Sequence, residues 1–414
     1  MKITVNSGKI ILIAVIIFIF SFSYFAKNIY MNKVLLDTDE MYWISTAKIV
    51  PLLVKHDYTD PYWNEYYGFV NFNVAKLAYG IGLPILGHTD FSQAGIPPDT
   101  YYKWESFGGK PFPATHQFNS TLRDARLISA LFVSLGIILM FFCTLSITSS
   151  LLISTLSGIL LTLHPIIQKV ATHALADSMF LFFEIAAIFV LIKIISAIRQ
   201  KNSHLPVYYC GAGICTAMAA GAKINGLMLL PFILFSILYI MYKLYINKNT
   251  DYTKKFRMKA LAAAVILILS FSVTFLILHP NFFFYPQVSP IQMMESRMLI
   301  TQQHIAYYSE HEPSHVLLSL PSKLLSSVIY LFPIRFGLVA IAGAIIKIIF
   351  RKKIINGDKY KTETVIICGL IYTWMCVLLY VVFDEPRYYL PILPFLILVL
   401  ADAYNSTSTH KSAD

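Results

Sequence analysis

The chain has 414 residues, 57% of them hydrophobic and 13% charged, with a mean hydropathy of +0.64. A soluble domain of this size does not carry so many long apolar runs, and the composition specifies an all-α polytopic membrane protein. The net charge of +11 does not indicate a nucleic-acid partner, because the cations cluster in short loops between apolar runs, where they act as orientation signals.

A spanning helix needs about 20 apolar residues, and on that basis the sequence predicts about ten crossings. They cover residues 9–28, 127–148, 149–164, 178–198, 207–222, 226–245, 260–278, 333–350, 364–383 and 388–404. The first run starts after a basic N-terminus and ends without a clear small-residue cleavage site, so it reads as a retained helix. Lys243 to Lys259, Arg351 to Lys361, and Arg199 with Lys201 mark three basic loops. Counting crossings places all three on the side of the N-terminus. The positive-inside bias makes that side cytoplasmic, for both termini. The protein is then expected in the cell membrane.

Two long segments fall on the other side, residues 31–126 and 279–332. Each contains an amphipathic stretch suited to lying in the membrane interface, at 43–54 and 316–332. These belong to the first and fourth outer loops. The polar tail 405–414 is expected to be disordered and cytoplasmic. Cys143, Cys210, Cys215, Cys368 and Cys376 lie in or beside apolar runs, without metal-ligand spacing or a disulfide pattern.

The acidic stretch Asp37-Thr38-Asp39-Glu40 follows the first apolar run. Its plain reading is a helix start, with Asp37 or Thr38 as cap. Adjacent residues cannot share a helical face, so Asp39 and Glu40 need not do the same job. Other isolated charges punctuate helix ends: Asp177, Lys223, His279, and Asp384, Glu385 and Arg387. By the predicted topology all of them fall on the outer face. Singly, each reads as an interface anchor. Together they offer an acid and several cations on one membrane face. That suits transfer of a sugar from a lipid-linked phosphate. Cations stabilise the charge developing on the leaving phosphate, and a carboxylate takes the proton of the attacking hydroxyl. Asp39 is the expected base, and Lys223 and Arg387 are expected phosphate-holding cations.

The chain resembles integral-membrane glycosyltransferases of the GT-C class, closest in pattern to the protein O-mannosyltransferase and aminoarabinose-transferase superfamily. Asp39-Glu40-Met41-Tyr42-Trp43 is similar to that family's Asp-Glu motif, in which the resemblance implies a catalytic Asp. Asn71-Phe72-Asn73-Val74-Ala75-Lys76 is similar to its His-Pro-Pro-x-x-Lys stretch, though the His and both prolines are missing. Only Lys76 carries over, and the resemblance implies that it holds the donor phosphate. Ala125-Arg126-Leu127, Ala176-Asp177, Ala222-Lys223-Ile224-Asn225-Gly226 and Arg387-Tyr388-Tyr389-Leu390-Pro391 resemble further motifs in the same order. Arg126, Asp177, His279 and Tyr388 are thus expected to support the catalytic Asp39 and Glu40. Glu40 is expected to serve acceptor binding or site geometry.

The resemblance implies one GT-C-like domain over residues 1–404. It implies an inverting enzyme that uses a polyprenyl-phosphate sugar donor and a glycan, lipid or protein acceptor, with membrane lipid around it. No cofactor is assigned. His311 and His315 are four apart, but Pro313 between them argues against a shared helical face, so the sequence assigns no metal ligands. A divalent ion is left open, because some GT-C relatives need one and others do not. The competing reading is a secondary transporter or flippase of a lipid-linked or anionic substrate, with Asp177, Lys223 and Arg387 lining its path. Transporters place such charges near mid-membrane and often show internal repeats. A lapsed scaffold is the third reading.

Overall fold

The computed structural model describes residues 7–31, 39–40, 43–44, 47, 49–55, 73–88, 116–200, 204–246, 253–279, 295, 299, 301–303, 305–306, 309–310, 316, 319–333, 359–383 and 385–408. Among these residues the chain is helical apart from turns and one isolated antiparallel bridge between Val316 and Phe383.

The first helix, α1, runs Ser7–Tyr30. Two shorter helices follow in the first long segment, α2 at Ile49–Lys55 and α3 at Asn73–Ile85. Then come α4 at His116–Thr148, α5 at Leu151–Leu163, α6 at Pro165–Thr172, α7 at Ala176–Gln200 and α8 at Leu205–Ala222. A 3-10 turn at Ile224–Met228 leads into α9 at Leu229–Ile246, followed by α10 at Thr253–Leu278. The C-terminal part holds α11 at Leu320–Leu331, α12 at Lys359–Tyr380, a 3-10 turn at Pro386–Ile392 and α13 at Leu393–Ser408.

Seven of these stretches are long and apolar enough to cross a membrane, or eight if the bent pair α5 and α6 is one span. The chain is a multi-pass membrane protein. The eight match eight of the ten expected crossings. Of the other two, 364–383 is a shorter apolar helix, and 333–350 lies almost wholly outside the described residues.

Three expectations change in detail. The outer loop expected after His164 is a helix, α6, bent 64° from α5. The cause is local: Pro165 cannot donate to the helical ladder, and His164 closes one helix while its Nδ1 accepts from the Ile166 N–H at 3.3 Å to open the next. Around the 43–54 stretch, Trp43, Ile44 and Ala47 are buried in the main core. They anchor this segment to the bundle as well as giving it an apolar face. The polar tail begins later than expected, because α13 continues to Ser408.

Packing follows membrane rules, where close approach and internal hydrogen bonds replace the hydrophobic drive. Helices α4, α7 and the last span form the interior, while α1 and α10 are peripheral. Small residues let α8 and α10 touch: a Cβ on Gly213 would sit 2.5 Å from the Leu267 carbonyl oxygen. Hydroxyls inside the apolar helices satisfy themselves locally, as Thr144, Thr162, Thr216 and Thr373 donate to carbonyls four residues back at 2.7–2.9 Å.

Candidate functional site

The N-terminal ends of α4 and α7, the C-terminal ends of α8 and α10, and the start of the 3-10 turn at Pro386–Ile392 meet at one end of the bundle. Those of the charges singled out from the sequence that are among the described residues gather there. They are organised as ion pairs between segments far apart in the chain.

The first pair joins Glu40 to Arg126. The guanidinium donates through Nε and Nη2 to both carboxylate oxygens, each at 2.7 Å. Oε1 also accepts the Ala174 N–H at 2.8 Å, just ahead of α7. The Glu40 side chain is 0% exposed. Such a bidentate contact fixes geometry as well as charge. Of the two roles expected for Glu40, these contacts supply site geometry: it clamps the acidic stretch to α4 and to the start of α7.

The second pair joins Asp177 to Lys223 at 2.5 Å. Asp177 sits in the first turn of α7, where the helix dipole favours a carboxylate. Lys223 ends α8 in an extended conformation and opens the 3-10 turn. Gly226 makes this turn close: a Cβ there would lie 2.4 Å from the Ala219 carbonyl carbon and the Ala220 nitrogen. Burial lowers the Lys223 ammonium below its ordinary pKa. Asp177 and Asp39 work against that shift, and Arg387 works with it.

The third pair joins Arg387 to Asp39, with Nη2 and Oδ2 at 2.6 Å. Arg387 leaves a 3-10 turn whose Pro386 is preset for the first position. Asp39 keeps 34% of its side chain exposed. The adjacent carboxylates therefore differ: Glu40 is sealed, and Asp39 is open. Tyr388 sits between two cations, with Lys223 Nζ 5.0 Å and the Arg387 guanidinium carbon 6.0 Å from its ring centroid. Its π face favours positive charge at such distances.

Lys76 is fully buried in α3, one turn from Tyr79 on the same face. Helix α3 packs against α4, α7 and α8. Burial pulls the Lys76 ammonium down to about 7. Tyr79 shares a hydrogen bond with Ser129 at 2.7 Å and donates to the Leu175 carbonyl at 3.2 Å. It thereby ties α3 to the segment that holds Glu40. At the other end of α3, His88 lies 2.7 Å from Asp124 and 3.0 Å from the Thr121 hydroxyl, fastening α3 to the start of α4. His279 ends α10 as expected, with its ring stacked on Phe275 at 4.1 Å and Nδ1 2.7 Å from the Phe275 carbonyl oxygen.

Of the nine expected residues, seven are thus joined by direct contacts into two groups, Glu40 with Arg126, and Asp39, Arg387, Tyr388, Lys223 and Asp177. Asp37 and Asp384 lie outside the described residues. Sequence reasoning missed Tyr79, Lys169 and Glu184. Lys169, in α6, reaches Glu385 at 2.7 Å. Glu184 is buried within α7, with neither carboxylate oxygen hydrogen-bonded among the described residues. Its signal was present, as an acid in the middle of an apolar run. Among the described residues no three His, Cys, Asp or Glu side chains are grouped to hold a metal ion. His304, His311 and His315 lie outside those residues.

No curated protein matches the chain. Among solved structures, it is similar to the S. cerevisiae protein O-mannosyltransferase Pmt1-Pmt2 complex bound to the sugar donor, at 18% identity and a TM-score of 0.48. That likeness covers 67% of this chain and 34% of the yeast chain, so this chain spans about a third of the length of the one it matches. Residues 96–286 match the family model of dolichyl-phosphate-mannose-protein mannosyltransferase. The matched stretch contains Arg126, Asp177, Lys223 and His279, and the ion pairs link it to Asp39, Glu40 and Arg387 outside it. Residues 96–286, a little under half of the chain, are thus similar to that mannosyltransferase family's model.

Proposed function

We propose that this protein is a GT-C-type glycosyltransferase that moves a sugar, with inversion, from a polyprenyl-phosphate donor to a hydroxyl acceptor at the outer face of the membrane. The observation that carries the reading is the Arg387–Asp39 contact at 2.6 Å, beside the Lys223–Asp177 pair at one end of the bundle. A partly exposed carboxylate stands next to cations that can take a phosphate.

The chemistry follows from that juxtaposition. The acceptor oxygen attacks the anomeric carbon as the carbon–oxygen bond to phosphate breaks, and the electron pair leaves with the phosphate. Asp39 takes the hydroxyl proton. Lys223 and Arg387 stabilise the charge on the departing phosphate, Arg387 through its planar fork and Lys223 as a point charge. Lys76 is the third cation, brought to the donor from α3. Glu40, Arg126 and Asp177 hold the frame, and Tyr388 spaces the two cations. Placement at the outer face rests on the parity of crossings and the basic loops on the opposite side.

The test is transfer from labelled polyprenyl-phosphate-mannose in membranes containing the full chain. Label should leave the donor and appear in a protein, glycan or lipid fraction. If label stays on the donor, and purified protein does not bind that donor, the reading is wrong.

A further inference from the structure

We infer that Lys169 and Glu385 are a positioning pair that sets where Arg387 stands relative to Asp39. The inference rests on the function proposed above and adds to it two residues that contact neither the proton nor the phosphate.

Lys169 lies in the last turn of α6, the outer arm of the bent pair. Its ammonium donates to both carboxylate oxygens of Glu385, at 2.7 and 3.0 Å. Glu385 is the residue before Pro386-Arg387. Its backbone is committed on both sides: its N–H donates to the Phe383 carbonyl at 3.0 Å, and its carbonyl accepts the Tyr388 N–H at 3.1 Å. The side-chain contact with Lys169 therefore pins the residue from which the Arg387 turn departs. Phe383 in turn pairs with Val316, which anchors the strand-like approach to this turn.

The same end of α6 leads on to the acidic stretch. The chain passes from Thr172 through His173, whose ring nitrogen Nδ1 lies 2.8 Å from the Lys169 carbonyl oxygen, to Ala174, whose N–H holds Glu40. One short helix thus contacts the Glu385 turn with its side chain and the Asp39-Glu40 stretch through the chain that follows it. It is a strut between the two halves of the site.

Both partners are about a third exposed, at 30% and 28%. Ion pairs that wet add little to folding stability. Geometry is where such a contact has leverage, since small misplacements of a catalytic group have large effects on rate and binding.

The experiment uses the full chain in lipid nanodiscs and polyprenyl-phosphate-mannose as the probe. Lys169→Met and Glu385→Gln should each weaken donor binding about tenfold with melting temperature unchanged, as expected for displaced rather than deleted contacts. The double variant Lys169→Glu with Glu385→Lys should recover most of the affinity. Arg387→Ala is the control for the function itself. Wild-type affinity in Lys169→Met, where Arg387→Ala has lost it, overturns the strut and leaves the function standing. Wild-type affinity in Arg387→Ala overturns the function reading and the strut with it. Should a single variant not fold, the exchanged pair decides: recovery supports the strut, and a folded exchange without affinity overturns it.

Discussion

Arg387 and Asp39 come from opposite ends of the sequence and meet at 2.6 Å. The contact joins the turn before the last helix to the segment after the first. It also couples the proposed base to a proposed phosphate ligand. An opposite charge at that distance favours the ionised form of a carboxylate. The same guanidinium has further donors to turn toward a phosphate. Arg387→Lys keeps the charge and loses the planar fork. Donor affinity should drop about tenfold or more, since charge-assisted bonds of this kind are worth roughly 1.5–3 kcal/mol. Titration of the purified variant with polyprenyl-phosphate-mannose measures it, and an unchanged curve would remove Arg387 from the phosphate site.

The Lys223 turn depends on Gly226. Since the missing Cβ would collide with the backbone of Ala219 and Ala220, Gly226→Ala must push the turn away from α8. Overpacking of this kind costs about 1–3 kcal/mol. The variant should melt earlier and bind donor more weakly, because Lys223 opens the same turn. Melting and donor titration on the same sample test both halves. A wild-type profile in each would mean that the turn has room the structure does not show.

Lys76 predicts two pH dependences of opposite sign. Burial lowers its pKa from 10.5 to about 7. Between those values the unfolded chain holds a proton that the folded chain has released, so this residue makes folding more favourable as pH rises from about 7 toward 10. Below 7 both states are protonated and the burial penalty is present in full. Lys76→Met should therefore raise the melting temperature more at pH 6 than at pH 9. Donor binding runs the other way. An anionic phosphate favours the protonated ammonium, so wild-type affinity should fall as pH rises above about 7, and Lys76→Gln should flatten that profile. A flat wild-type profile would separate Lys76 from the donor.

Much of this architecture can be read in the sequence, for a physical reason. A spanning helix must be apolar along its length, so eight of the ten expected crossings correspond to span candidates. The isolated charges stand out against that background, and seven of the nine named residues meet in ion pairs and ring contacts. What the sequence hid was pairing and local direction. Nothing in the spacing says that Glu40 is sealed by Arg126 and an α7-side N–H while its neighbour Asp39 stays open. Lys169 looks like one more loop cation until Pro165 is seen to start a helix that carries it to Glu385. Tyr79 is invisible as a site residue because an aromatic in an apolar run ordinarily packs. Its hydroxyl matters only once Ser129 and Leu175 are beside it.

Glu184 is the counter-case, an acid in a span without a function assigned to it. It is buried and neither oxygen is hydrogen-bonded among the described residues. Burying a carboxyl group without partners is unfavourable, and replacing it with an apolar side chain is often neutral or stabilising. Glu184→Leu should keep or raise the melting temperature and leave donor affinity unchanged. A loss of donor binding with the fold intact would mark Glu184 as part of the working site.

The sharpest prediction contrasts three acids within four residues. Asp39→Asn keeps shape and hydrogen-bonding capacity but cannot take a proton. If Asp39 is the base, turnover should fall by about 10²–10⁴, while protein level and donor binding stay close to wild type. Glu40→Gln acts differently. It leaves the Arg126 guanidinium buried without its countercharge, and breaking a buried pair by removing one partner costs about 3–5 kcal/mol. That variant should lose stability first and activity as a consequence, visible as a lowered melting temperature. Asp37→Asn should do little, because the sequence assigns Asp37 no more than a helix cap, and an Asn caps about as well. Transfer of labelled sugar, donor binding and melting temperature, measured on all three variants, give each acid its own signature. Full activity in Asp39→Asn would exclude Asp39 as the base. Equal loss in all three, with equal loss of stability, would assign the whole stretch a structural role.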